Sequence, residues 1–430
     1  MNLFKTQLTI LQLEEYKPLR FLRWILKHPF ASKVLVKKSL VVTPKIKNII
    51  IISVLLILFP PFLVTLIIAP FINLTIATII LKPYEIYNRY KTINDTHQKI
   101  LSLKNLKVIG ITGSFGKTST KEILYQILKT KYKVLRTPES FNTVFGVAKV
   151  VDLELDDSYD YFICEMAAYK IGEIKELCYM VPPEYGILTG ITTQHFERFG
   201  SLANTIKAKF ELVDEIKDKE KIIFNTSDIN ITNELKIRKI KITENKILAK
   251  NIKFNKYGSS FNGITTSLFG FANIKNIILA SNIALKLGMS EKEIMEAIKN
   301  LKPFDNRNVL IQSGKAAIVN NTYSSNIQSF VELIETAKTI KGKKALVTPG
   351  IVELGSLELE VHKDLGKKLN NIFDKVVLVG KNGRTNSLAK GLETKYEFIN
   401  DNRKEYFDKI EELKKNYSWI FLENDVTENY

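Results

Sequence analysis

Residues 110–122 read GITGSFGKTSTKE, with glycines at 110, 113 and 116 ahead of Lys117 and Thr118. Glycine allows a tight backbone that can approach a phosphate closely. Backbone N–H groups at a helix start attract anions, a lysine there reaches the terminal phosphates, and a hydroxyl suits magnesium. The general phosphate loop has glycine, four residues, then Gly-Lys-Ser/Thr. Here its first position is Ile111, so the loop is either a degenerate copy of that pattern or a different class of ATP loop. Gly113, Ser114, Gly116, Lys117, Thr118 and Ser119 are its candidate ATP-binding residues. Downstream, Glu165 ends the apolar stretch YDYFICEMA, and His195 follows EYGILTGI. In a parallel sheet, strand carboxyl ends share one ligand-binding edge, so both should converge near Thr118. A carboxylate and an imidazole there suit a magnesium site, although imidazole is an unusual magnesium ligand.

The elements that must hold these groups follow a βα rhythm. LKVIGIT reads as a strand and KTSTKEILYQILKT as a helix; KVLRT, YDYFICEMA, EYGILTGI and EKIIFNT continue the strands, with helices between. Strands alternating with helices predict a parallel sheet covered on both faces. A β-rich stretch to about 268, two helices, and a break at Pro303 and FDNRN lead to a second βα series from 307. The expected fold class is α/β, with a P-loop central domain over 107–303 and a Rossmann-like C-terminal domain over 304–430.

Composition narrows the classes. Two cysteines, Cys164 and Cys178, rule out a disulfide framework, and four histidines without a zinc-ligand pattern argue against zinc. The net charge of +18 is uneven: the first 48 residues hold ten Lys/Arg against Glu14 and Glu15. Nucleic acid is therefore not the expected partner. Residues 48–81 contain no charged side chain, long enough for one long span or two short ones. Pro60-Pro61 and Pro70 would break or kink a helix there. With basic flanks upstream and an ATP-dependent domain downstream, 48–82 is expected to be a membrane hairpin or re-entrant segment. Residues 1–47 would be a basic amphipathic region, with YKPLRFLRWILKHPF as an interfacial helix, and 83–106 a linker helix. The expected location is the cytoplasmic membrane, with catalytic domains facing the cytoplasm and membrane lipids as partners. The alternative is that 48–81 forms a buried core helix.

Thr112-Gly113-Ser114-Phe115-Gly116-Lys117-Thr118 resembles the TGxxGKT/S loop of the Mur ligases, a family that includes folylpolyglutamate synthase-like enzymes. Further matching segments are Asn142-Thr143 with Gly146, EMAAYKIGEI, HFERFGSLANTIKAKFEL, Asn273, Arg307, NNTYSSN and ELG. Together they cover about 107–430 and look most like the D-alanyl-D-alanine-adding branch. The resemblance implies that ATP phosphorylates a substrate carboxylate and that an amino acid or dipeptide amine displaces phosphate to form an amide. It implies that Lys117 and Thr118 hold the triphosphate and a first Mg2+, joined by Glu165, with His195 on a second Mg2+. Lys209, otherwise a solvated helix lysine, would be the carbamylated lysine of these enzymes. Asn273, Arg307 and Asn321 would contact ATP across a cleft, and Asn142, Thr143, Tyr323 and Asn326 would touch substrate.

Two motifs depart from the pattern: the family's His-Asn is Ala272-Asn273, and its paired acids are Asn320-Asn321. The related enzymes also carry an N-terminal domain that grips a UDP-sugar, whereas 48–82 stands in that region here. The expected function is a membrane-tethered, ATP-dependent peptide ligase of cell-wall precursor synthesis, acting on a carboxylate-bearing and possibly lipid-linked precursor. A membrane-anchored P-loop NTPase or kinase without ligation, and a non-catalytic nucleotide-binding scaffold, are the competing readings.

Overall fold

The computed structural model describes residues 2–14, 16–28, 40–59, 61–62, 65, 69–139, 141–192, 199–242, 245–304, 307–323, 326–352 and 354–424. The chain divides into two compact units, residues 1–91 and 92–427.

The first unit is helical: α1 (Asn2–Leu13), α2 (Pro18–Lys27), α3 (Pro44–Leu55) and the start of α4 (Pro70–Ser102). Thr43 caps α3 by accepting from the Ile46 N–H at 3.2 Å, and proline opens α2, α3 and α4, where its missing donor costs nothing. Leu11, Phe21, Ile25, Ile46, Ile49 and Leu74 meet in a core of their own. The membrane expectation is overturned here. Among the described residues no helix is long and apolar enough to cross a membrane. Helix α3 is twelve residues, about 18 Å at 1.5 Å per residue, against a hydrocarbon core of about 30 Å. Pro70 begins a separate helix, α4, which carries Lys82, Glu85, Arg89 and Lys91 further along. The charge-free stretch is thus divided, and part of it is buried against protein. Helix α2 turns Phe21 and Ile25 into this core and leaves Leu19 and Leu26 exposed. The expected cytoplasmic-membrane location finds no spanning helix among the described residues to support it.

In the second unit a five-stranded parallel sheet runs in the order β2-β3-β1-β4-β5. Its strands are β1 (Lys107–Thr112), β2 (Val134–Arg136), β3 (Tyr161–Glu165), β4 (Tyr185–Leu188) and β5 (Ile222–Phe224). Alternate residues of β3 go to opposite faces. Phe162 and Cys164 pack with α6 (Val144–Glu154), α7 (Glu173–Met180) and α8 (Leu202–Glu215). Ile163 packs with α5 (Lys117–Leu128), α10 (Phe271–Lys286) and α11 (Glu291–Lys299). Burial on both faces is why these strands are almost wholly apolar. Between them lie α9 (Ile229–Ile237) and a three-stranded antiparallel sheet of β6 (Lys253–Asn255), β7 (Gly258–Phe261) and β8 (Ile264–Thr266).

The C-terminal sheet has six strands in the order β13-β12-β11-β14-β10-β9. These are β9 (Val309–Ser313), β10 (Ala316–Asn321), β11 (Lys344–Thr348), β12 (Lys375–Val379), β13 (Tyr396–Ile399) and β14 (Trp419–Glu423). All pair in parallel except β9, which turns back on β10 through Gly314 at φ +61°. The domain is therefore mixed rather than wholly parallel. Helices α12 (Ile327–Lys338), α13 (Glu358–Leu369), α14 (Gly383–Gly391) and α15 (Arg403–Leu413) complete it.

Candidate active site

Strand order puts β1 at the centre of the first sheet, with β3 and β4 on either side. The loop leaving β1 is therefore flanked by Glu165, the last residue of β3, and by Thr189, just beyond β4. Gly116 sits at φ +79° and caps α5, which begins at Lys117. The loop leans on the chain after β4: the Ser114 N–H donates to Gly190 O at 2.7 Å, and the Thr189 hydroxyl donates to Phe115 O. Gly113, at φ +150°, has no room for a side chain, since a Cβ would lie 2.9 Å from Gly190 O and closer still to Thr189 Oγ1. Gly113→Ala is expected to cost about 1–3 kcal/mol of stability and to weaken ATP binding. A denaturant midpoint and a titration with ATP measure the two effects, and an unchanged midpoint would refute the first.

Lys117 is half-buried in this cradle, its Nζ donating to Gly113 O at 2.8 Å and lying 3.4 Å from Ser114 O. Burial pulls its pKa below the ordinary lysine value; Glu165 works against that shift and Arg307 adds to it. Glu165 is 1% exposed. Burial pushes its carboxyl upward, but Lys121 and Lys117, helped by hydrogen bonds from Asn142 and Thr118, leave it below the usual glutamate value. Asn142 Nδ2 donates to Oε1 at 3.0 Å, and Lys121 Nζ faces Oε2 at 3.3 Å. Among the described residues Oε2 has no hydrogen-bond donor beyond this ion pair. A buried carboxylate oxygen held this way, beside the Thr118 hydroxyl, fits magnesium, which typically takes one or two protein oxygens together with phosphate and water.

Lys209, on α8, is also buried, with Nζ 3.4 Å from Ala168 O and 5.6 Å from the Phe199 ring centroid. Burial first, then the charge of Lys117, lowers its pKa to about 7, against the pull of Glu173 and Glu211. An amine in that state is about half neutral near pH 7, and its neutral form is nucleophilic.

These groups line one cleft, which encloses about 1220 Å³ of space continuous with solvent. It holds Gly113, Ser114, Gly116, Lys117, Thr118, Ser119, Asn142, Glu165 and Lys209 from the central domain. Asn273 comes from α10, and Arg307, Asn321 and Asn326 from the C-terminal domain. Asn273 spends its amide N–H on Phe269 O at 3.0 Å, and the Arg307 guanidinium lies 4.2 Å from the Tyr323 ring centroid. Tyr323 itself does not line the cleft, and neither does Thr143, which occupies the cap position of α6. His195 lies outside the described residues.

The sequence reading missed four further contributors. Lys121 stands four residues after Lys117, hence on the same face of α5, and that spacing could have exposed it. Asn225, just past β5, donates to Thr189 O at 2.8 Å; its place at a strand's carboxyl end was the available signal. Lys275 and Glu332 pair at 2.8 Å from α10 to α12 across the two domains, and no local pattern announces that contact. Among the described residues no cluster of three or more His, Cys, Asp or Glu could hold a metal, so a magnesium ion here would rely on few protein ligands.

Known proteins share these features. Residues 111–284 match the model of the Mur ligase middle domain. A UDP-N-acetylmuramoyl-tripeptide–D-alanyl-D-alanine ligase from Borreliella burgdorferi is 31% identical over 307 residues, 66% of this chain and 64% of the relative. The enzyme of the same name from Buchnera aphidicola is 27% identical over 329 residues, 72% of this chain and 71% of its own length. The chain thus spans about two thirds of the length of the curated relatives it matches. The crystal structure of MurF from Acinetobacter baumannii superposes with a TM-score of 0.68 at 26% identity, covering 78% of this chain and 77% of that one. The MurF ligase from Thermotoga maritima in complex with ADP shares the fold, with a TM-score of 0.68 at 22% identity and coverage of 78% and 80%.

Proposed function

Because this chain belongs to the Mur ligase family, ATP-dependent enzymes that join an acid to an amino acid through a C–N bond, we propose that it ligates a cell-wall peptide precursor. The acceptor would be a muramoyl-peptide carboxylate and the donor a D-alanyl-D-alanine-type dipeptide, as the names of its relatives state for them. One observation carries this reading: a single cleft brings the phosphate loop and Glu165 opposite Arg307, Asn321 and Asn326, with Lys209 beside them.

A carboxylate is a poor electrophile until one oxygen becomes part of a mixed anhydride with phosphate. One acceptor oxygen attacks the terminal phosphorus of ATP, ADP leaves, and an acyl phosphate forms. The dipeptide amine then adds to the acyl carbon. Inorganic phosphate departs with the C–O electron pair, and the nitrogen loses a proton. Lys117 holds and neutralises the transferring phosphoryl group, and the α5 N-terminus supplies backbone donors. Thr118 and Glu165 would hold Mg2+, with His195 on a second ion; bound metal offsets the charge of two anions brought together. Asn142 and Lys121 keep Glu165 oriented. Asn273, Arg307 and Asn321 would meet the nucleotide from across the cleft, and closure of the two domains would keep water from the acyl phosphate. Lys209, as a carbamate, would add a carboxylate-like ligand.

The test is a product analysis. Incubation with ATP, UDP-muramoyl-tripeptide and D-alanyl-D-alanine should release ADP only when all three are present, and mass spectrometry should find one new amide per ADP. ADP release indifferent to the amine would overturn the ligase reading, and a stable phosphorylated substrate would point to a phosphotransferase.

A further inference from the structure

Asn320 and Asn321 end β10 without an acid of their own, and the structure brings one beside them from another strand. Strands β10 and β14 run parallel, and their register sets Asn321 directly against Glu423, both at the carboxyl edge of the sheet. Glu423 is fully buried. Asn321 Nδ2 donates to Glu423 Oε2 at 2.7 Å, and the Ser329 hydroxyl, in the first turn of α12, lies 3.4 Å from Oε1. Ser329 also closes a capping box with Asn326. One carboxylate thus ties together the strand and the helix start that supply three lining residues of the cleft.

We propose that Glu423 is a positioning residue for nucleotide recognition: it fixes Asn321 with its carbonyl oxygen, Oδ1, presented to a neutral N–H or O–H donor of the ATP nucleoside. The inference rests on the ATP reading above and deepens it. With Asn321 Nδ2 donating to Glu423 Oε2 at 2.7 Å, the NH2 corner of the amide is spent on the glutamate and the oxygen is turned away from it. Without that constraint an asparagine amide can flip and present either group. Oδ1 takes no hydrogen bond from a described residue, and Asn321 lines the cleft. The neighbouring Asn320 is spent locally, accepting from the Thr322 hydroxyl at 2.8 Å and its N–H at 3.2 Å. Its side chain belongs to the other face of the strand.

The geometry also narrows the ligand. Phosphate oxygens of ATP carry no donor, so an acceptor at Asn321 suits a ribose hydroxyl or the base amino group, not the triphosphate. Moving the acid back to Glu423 keeps a full negative charge out of direct contact with a polyanionic ligand while retaining the acceptor.

The experiment compares binding of ATP with 2′-deoxy-ATP, 3′-deoxy-ATP and purine riboside triphosphate by calorimetry on the full chain. The parent should bind one of the three analogues about tenfold more weakly than ATP, the value of one good hydrogen bond. In Glu423→Gln the pair can form in either direction, and that discrimination should fall to about threefold or less. Asn321→Asp alone sets two carboxylates against each other and should weaken ATP itself. The exchange Asn321→Asp with Glu423→Gln lets the glutamine amide donate to the aspartate, so discrimination should return. A purely structural Glu423 would not alter the ratio between analogues. The inference is overturned if the parent binds all three analogues as well as ATP, if Glu423→Gln keeps the full discrimination, or if the exchange fails to restore it. Absence of ATP binding by the parent would overturn the ligase reading together with this inference, whereas ATP binding without discrimination would overturn this inference alone.

Discussion

Lys117→Met is expected to lower amide formation by about a thousandfold or more while leaving the protein at least as stable as the parent. The rate loss follows from position. Lys117 begins α5 behind a Gly116 whose φ of +79° turns the loop, and in its water-poor cradle one cation on a transferring phosphoryl group is worth about 3–4 kcal/mol. The stability claim follows from the same burial. A charged amine is costly there, and its pKa is pulled down accordingly, so an apolar chain of similar length relieves a desolvation penalty. Its present bonds are to two loop carbonyls, Gly113 O and Ser114 O. ADP release in the presence of both substrates, and a melting curve, measure the two halves. A variant that melts well below the parent would show that Lys117 is mainly a structural residue.

Loss of Lys209 should have a comparably large effect by a different route. A neutral amine with a pKa near 7 can add carbon dioxide, forming a carbamate and releasing one proton. Lys209→Met is expected to reduce turnover by about 100-fold, typical for loss of a group that tunes a metal site. Purging carbon dioxide should slow the parent, bicarbonate should restore it, and neither should affect the variant. Labelled bicarbonate should give a carbamate carbon signal in the parent only. The stability sign is separate. The folded pKa of the free amine lies below the unfolded lysine value, so the unfolded chain holds more protons between about pH 7 and pH 10.5, and parent stability rises with pH across that window. Below about pH 7 the full cost is present. The variant should therefore out-melt the parent most clearly at neutral pH without carbon dioxide, the gap closing as pH rises. Equal turnover with and without carbon dioxide would refute the carbamate.

The phosphate loop and Glu165 were legible because each sits at a fixed place relative to a strand end or helix start, which linear patterns encode; Lys209 was not, since pattern alone makes it a solvated helix lysine and only the family resemblance singled it out. Glu423 was not, since its partner is 102 residues away and only the β10–β14 register brings them together. The β9–β10 hairpin was overlooked because Ser313-Gly314-Lys315 carries little turn signal beyond one glycine. The apolar stretch at 48–81 misled for a more general reason. Hydropathy summed along a chain treats neighbours as one continuous span, whereas Pro70 opens a second helix and Ile49 and Leu74 face each other's cluster. Burial against protein and burial in lipid draw on the same side chains; what separated them was helix length and the charges further along α4.

The cleft wall has a bearing on how substrates arrive. With Lys209 as the uncarbamylated amine, the wall's ionic side chains include Lys117, Lys275 and Arg307 against Glu165 and Glu332, while Asn142, Asn225, Asn273, Asn276, Asn308, Asn321 and Asn326 contribute amides. The positive excess focuses field lines on a polyanion and speeds its diffusional encounter, an influence that dissolved salt screens within about 10 Å at 0.1 M. Amides act only at contact and carry no charge to screen. Capture and discrimination are thereby separated: raising ionic strength slows the approach of ATP and an anionic acceptor, while the choice among bound ligands stays with groups that salt leaves untouched.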